Sequence, residues 1–143
     1  MTIPARLGIV TLGVADLGRS VAYYEALGWE KCSSSSDAIA WFRTADTHIG
    51  LFPRHELAAD ANLPAEPRAR FGGITLAINV DAPEEVATFL DAAVAAGGTL
   101  LKPPTVMDWG GTSGYVADPD GHPWEIAHNP DFPIDENGRV RIP

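Results

Sequence analysis

RLGIVTLGV at residues 6–14 returns as RFGGITLAI at residues 70–78, an offset of 70 − 6 = 64 at which arginine, glycine, threonine and leucine coincide. Each copy alternates apolar and small side chains, the period of a strand with one buried face. Each copy also leads into a helical pattern closed by glycine: Val21, Tyr24 and Leu27 before Gly28, then Val86, Phe89, Leu90 and Ala93 before Gly97. Asp16 is placed to cap the first helix. Asp81 is placed to cap the second, with Pro83, Glu84 and Glu85 in its opening turn. Three strand candidates follow each helix, the clearest at residues 39–43, 48–52, 115–117 and 123–127. The unit is βαβββ, present twice.

A second internal match, DTHIGLF at 46–52 on DGHPWEI at 120–126, has an offset of 120 − 46 = 74 and sets Leu51 opposite Glu125. Between the units, residues 55–69 are rich in Ala and Pro and read as a linker opening on a short helix at 56–61. The expected layout is one domain over residues 1–143: module 1 at about 5–54, the linker, module 2 at about 70–130 and a tail at 131–143. In the tail, Asn137-Gly138 reads as a hairpin turn.

Composition is that of a folded soluble chain, 45% hydrophobic and 20% charged. Ten basic against 19 acidic residues give a net charge of −9, which disfavours nucleic acid and anionic membrane surfaces as partners. Cys32 is the sole cysteine, so no internal disulfide or multi-cysteine zinc site is available, and a reducing cytoplasm is the expected location. The run at 7–15 contains Gly8, Thr11 and Gly13 and reads as a strand, and no stretch has the roughly 18 apolar residues of a membrane span.

TLGVADLGRSVAYY at 11–24 and DPDGHPWE at 118–125, with the duplication, resemble the vicinal oxygen chelate superfamily: glyoxalase I, extradiol dioxygenases, and fosfomycin- and bleomycin-resistance proteins. The resemblance implies an α+β fold in which two βαβββ modules form a curled mixed sheet around a concave ligand cavity, with helices outside. In that frame Val10, Leu12 and Val14 face the first helix and Ile9, Thr11 and Gly13 the cavity. In the second copy Ile74, Leu76 and Ile78 face the helix, leaving Gly73, Thr75, Ala77 and Asn79 inward. Such small side chains leave space.

Metal-using relatives draw one ligand from each of four strands, at positions that correspond to Ile9, Leu51, Gly73 and Glu125. Three of these cannot ligate, and no metal or other cofactor is expected. His48, His122 and His128 fall out of phase with those positions, and His55 lies in the linker. Glu125 is the candidate catalytic acid or base, because burial in an apolar concavity favours its protonated form. The candidate ligand-binding residues are Ile9, Thr11, Leu51, Gly73, Thr75, Asn79, Trp109 and Tyr115, with Trp109 a lid borne on a flexible glycine-rich loop at 110–114. Three functions compete: a metal-free module holding a small apolar or aromatic organic molecule, a metal-independent lyase or isomerase using Glu125, and a metal-dependent glyoxalase-type lyase or dioxygenase with a differently registered site. The resemblance also implies a homodimer.

Overall fold

A computed structural model describes residue 5, residues 7–66 and residues 71–143; Arg6, Arg70 and linker positions 67–69 lie outside the described residues. The first unit comprises β1 (Ile9–Val14), α1 (Leu17–Ala26), β2 (Ala40–Arg43) and β3 (His48–Pro53). Asp16 caps α1 as its spacing suggests, accepting from the Arg19 amide at 3.0 Å. A short helix, α2 (Arg54–Asp60), follows β3 directly. The second unit comprises β4 (Leu76–Asn79), α3 (Glu84–Ala95), β5 (Thr99–Val106), β6 (Thr112–Ala117) and β7 (Pro123–His128). Two helix and loop expectations are corrected. Pro83, not Asp81, occupies the N-cap of α3, and Glu85 reaches back to the Ala82 amide instead. Thr112, Ser113 and Gly114 belong to β6, so the loop after Trp109 is only Gly110 and Gly111.

Each unit forms its own mixed sheet, in the order β1-β3-β2 and β4-β7-β6-β5, with the first strand parallel to the last. In module 1 the place of β5 is taken by a single bridge from Lys31 to Phe42. The helix-facing sides supply the core. Leu12, Leu51 and Ala40 form one buried row and Ile49 and Phe42 belong to the next, while Trp124, Val116 and Ile126 do the same in module 2. Tyr24 of α1 stacks among Trp29, Phe42 and Trp124, so one core runs through both modules.

A turn joins the modules through polar contacts. Asp118, 2% exposed, accepts from the Tyr24 hydroxyl at 2.8 Å and from the amides of Asp120 and His122. Trp124 Nε1 donates to the same tyrosine oxygen. Two residues along, Asp120 accepts from the Ala15 amide and from the Arg19 guanidinium at the start of α1. The tail closes as a hairpin with Gly138 at φ 77° and a bridge between Ile134 and Val140.

Strand pairing corrects the second internal match. Gly13 pairs with Phe52 and Ala77 with Glu125, so the spatial offset of the last strands is 125 − 52 = 73, not 74. Residues 44–47 join β2 to β3, whereas residues 118–122 join β6 to β7. The two turns resemble each other in sequence, but the strands after them pair one residue away from that match, and a one-residue slip exchanges the two faces of a strand.

Candidate functional site

Phase now assigns the open faces, the sides turned away from the helices. On module 1 the open face carries Ile9, Thr11 and Gly13 from β1 as expected, but His48, Gly50 and Phe52 from β3. Leu51 therefore does not face the open side, contrary to expectation: it is fully buried beside Leu12 and Ala40, in the core. His48 moves the other way, onto the open face beside Ile9, where Nδ1 lies 3.3 Å from the Gly8 carbonyl oxygen. Gly73, unlike these, is not on a strand. It precedes β4 with φ 84°, a left-handed turn conformation suited to glycine, and Ile74 and Thr75 beside it are exposed.

Thr11, Gly50 and Trp41 make one row across the module 1 face. A side chain on Gly50 would lie 3.0 Å from Thr11 Oγ1 and 3.3 Å from the Trp41 indole, so the glycine is the seat on which that ring rests. Trp41 was not among the expected binding residues; its in-phase position beside an in-strand glycine was the available signal. Trp109 instead folds onto its own loop, its indole filling the space a side chain on Gly111 would need, and it is 45% exposed.

On module 2 the open face carries Ala77 and Asn79, then Glu125, then Tyr115 and Ser113. Glu125 is half-buried and accepts from Ser113 Oγ at 2.7 Å. Tyr115 pairs with Glu125 across the strands; burial, and then the Glu125 charge, raise its hydroxyl above the ordinary tyrosine value. Ser113 was missed because it was read as loop.

Two cavities flank the gap between β1 and β4. The first, about 310 Å³, has Thr11 and Gly13 in its floor, α2 as a wall and Ile74, Leu76 and His122 of module 2 opposite. α2 stands on the open face because residue 13 has no side chain: a Cβ there would lie 3.3 Å from the Arg54 Cα. The second, about 440 Å³, lies among Trp29, Trp124, Ile78, Asn79 and the tail residues Ile134 and Val140. Of the candidate residues, Thr11 lines the first and Asn79 the second, while Ile9, Leu51, Gly73, Thr75, Trp109, Tyr115 and Glu125 line neither.

A divalent first-row ion resident in a protein needs three or more O, N or S donors. His48 and Glu125 are donors on the open strand faces, and no three His, Cys, Asp or Glu side chains come together among the described residues. The donor set of the described residues does not fit such an ion.

Comparison with known proteins agrees with the fold. A family model described as the Glyoxalase/Bleomycin resistance protein/Dioxygenase superfamily matches residues 6–126. A solved structure described as a glyoxalase-related enzyme from Fulvimarina pelagi is 37% identical, with a TM-score of 0.88 over 97% of this chain and 99% of that one. A glyoxalase/bleomycin resistance protein/dioxygenase family enzyme from Burkholderia phytofirmans PsJN is 25% identical, with a TM-score of 0.78 over 87% of this chain and 98% of that one. A lactoylglutathione lyase from Agrobacterium tumefaciens shares the fold at 22% identity and a TM-score of 0.66, over 90% and 96% of the two chains. No curated protein matches the sequence.

Proposed function

We propose, since the chain belongs to the glyoxalase/bleomycin resistance protein/dioxygenase superfamily, that it is a small-molecule-binding member that holds an apolar or aromatic organic ligand without a metal. One observation carries this reading: the roofed cavity of about 310 Å³ on the open face of module 1, at the lower end of the roughly 300–1,000 Å³ of small-ligand sites and walled largely by aliphatic side chains. The two-donor set supports metal independence. No helix among the described residues is long and apolar enough to cross a membrane, in keeping with a cytoplasmic binding protein. The proposal includes a homodimer. Leu7, Ile9, Phe71 and Ile74, at the starts of the two modules' first strands, are all more than half exposed and offer apolar area for a second copy.

Tryptophan emission followed during titration with small aromatic compounds, in the presence of a strong chelator, tests the reading, since Trp41 lies beside Thr11 of the cavity floor. Saturable change unaffected by the chelator is expected. A response that appears only after a divalent ion is added contradicts metal independence, and the absence of any saturable response contradicts binding.

A second reading, a metal-independent lyase or isomerase, is favoured by the Ser113–Glu125–Tyr115 group, where a hydroxyl at 2.7 Å orients a carboxylate as acid–base chemistry requires. Glu125 lines neither cavity, which ranks this reading second. Under it, Glu125→Gln abolishes turnover and leaves binding intact; equal turnover in the variant removes Glu125 from any mechanism.

A further inference from the structure

The chain carries 19 acidic and ten basic residues, yet the cavity beneath α2 reverses that balance. Its ionisable lining side chains are Arg54 and His122, and neither Asp nor Glu is among them. Arg54 is held in place without being neutralised. Its stem packs over Gly13, with Cβ and Cγ 3.4 Å from where a side chain on that glycine would begin, and its guanidinium donates to the Glu66 carbonyl oxygen. That acceptor is an uncharged backbone group. None of the ion pairs among the described residues involves Arg54, and the residues outside that description include no Asp or Glu.

His122 is oriented too, its Nε2 lying 2.8 Å from the Gly13 carbonyl oxygen. Apart from Thr11 in the floor, the remaining lining side chains are apolar. Arg54, Leu57, Ala58 and Ala61 recur at the spacing of one helical face, and no residue of α2 is buried, so this stripe borders open space instead of a packed core. Leu63, Ile74 and Leu76 continue the aliphatic surface.

We infer that this cavity takes an amphipathic organic carboxylate, its apolar body against the α2 stripe and its anionic group on Arg54. A guanidinium fixed by a neutral acceptor and facing a low-polarity cavity is preorganised for such a charge-assisted pair. The inference rests on the reading of this cavity as the ligand site and adds the class of ligand.

The test compares matched pairs that differ only in charge, phenylacetate with phenylacetamide and octanoate with octanamide, by calorimetry on the full chain at low ionic strength. In the wild type each carboxylate binds roughly tenfold or more tightly than its amide. Arg54→Gln brings that ratio close to one, and Arg54→Lys retains part of the preference. Equal binding of acid and amide in the wild type, or a preference that survives Arg54→Gln, overturns the carboxylate assignment and leaves the cavity reading standing. Failure of both members of every pair to bind, or binding unaffected when Ala58→Phe fills the cavity, overturns the cavity reading with it. Should Arg54→Gln fail to fold, the wild-type acid-to-amide ratio decides by itself.

Discussion

The two modules are alike on one side and unlike on the other. Toward the helices, the paired Leu12 and Leu51 of the first correspond to the paired Leu76 and Trp124 of the second. Away from them, module 1 presents Thr11, a glycine-seated Trp41 and a roof of α2, whereas module 2 presents a carboxylate with a serine and a tyrosine. Position 52, a phenylalanine, stands where the second module has Glu125. Close packing constrains the shared side of a duplicated unit, because a volume error in a core costs stability directly. The open side bears no such constraint, and it is there that the copies have taken on different chemistry.

The largest expected difference between the modules lies in their last turns. Asp118→Ala strands the buried Tyr24 hydroxyl and two amides at once, and a loss of about 3 kcal/mol or more in unfolding free energy is expected from denaturant titration. In the first module's turn, Thr44 makes two local bonds with Thr47, and Thr44→Ala is expected to cost about 1 kcal/mol. Equal losses would show that the second turn does not latch the modules together.

A smaller effect separates the open faces. Gly50→Ala forces the Trp41 ring or Thr11 to give way, at a cost of about 1–2 kcal/mol and with a change in tryptophan emission. Thr75→Ala, at the exposed counterpart of Thr11, is expected to stay within about 0.5 kcal/mol. If the two variants are indistinguishable, the first module has no built seat.

Alkaline pH probes the shared core. Burial, and then the Asp118 charge, push the Tyr23 hydroxyl to about 12 and raise that of Tyr24 as well. Because these values lie above the unfolded value near 10, the folded chain holds protons that the unfolded chain has lost; stability is complete below about pH 10 and declines toward pH 12. Tyrosinate absorbance should therefore stay low at pH 10 and rise together with unfolding. A full tyrosinate signal at pH 10 in the folded protein would contradict the packing. The smallest effect belongs to the Arg139–Asp46 pair that ties the tail to the first module's turn. As a solvent-exposed ion pair it should be worth less than about 1 kcal/mol in a double-mutant cycle at moderate salt.

How much of this was legible in the sequence follows from what each signal measures. Alternation along β1 reports burial directly, and it placed Thr11 and Gly13 on the open face and Leu12 in the core. Asp16 announced its helix because capping is a local interaction. The phase of β3 was not legible, since the similarity of the turns pointed to an offset one residue away from the one that strand pairing adopts, and that single residue exchanges Leu51 and His48 between faces. Gly73 misled for a related reason: it continues the repeat in sequence, but its φ of 84° ends the strand before it begins. Most of the cavity's wall was hidden in a stretch read as linker, where Leu57, Ala58 and Ala61 form a stripe with Arg54 that becomes meaningful only once Gly13 is seen beneath it.

Backbone amide shifts of the isotopically labelled protein, followed as phenylacetate is added to saturation, test most directly whether the space beneath α2 is the ligand site. The largest changes are expected at Gly13, Leu57, Ala58 and Ala61, which border that space. Changes confined to Ile134 and Val140, beside the second cavity, or no saturable change anywhere, would contradict it.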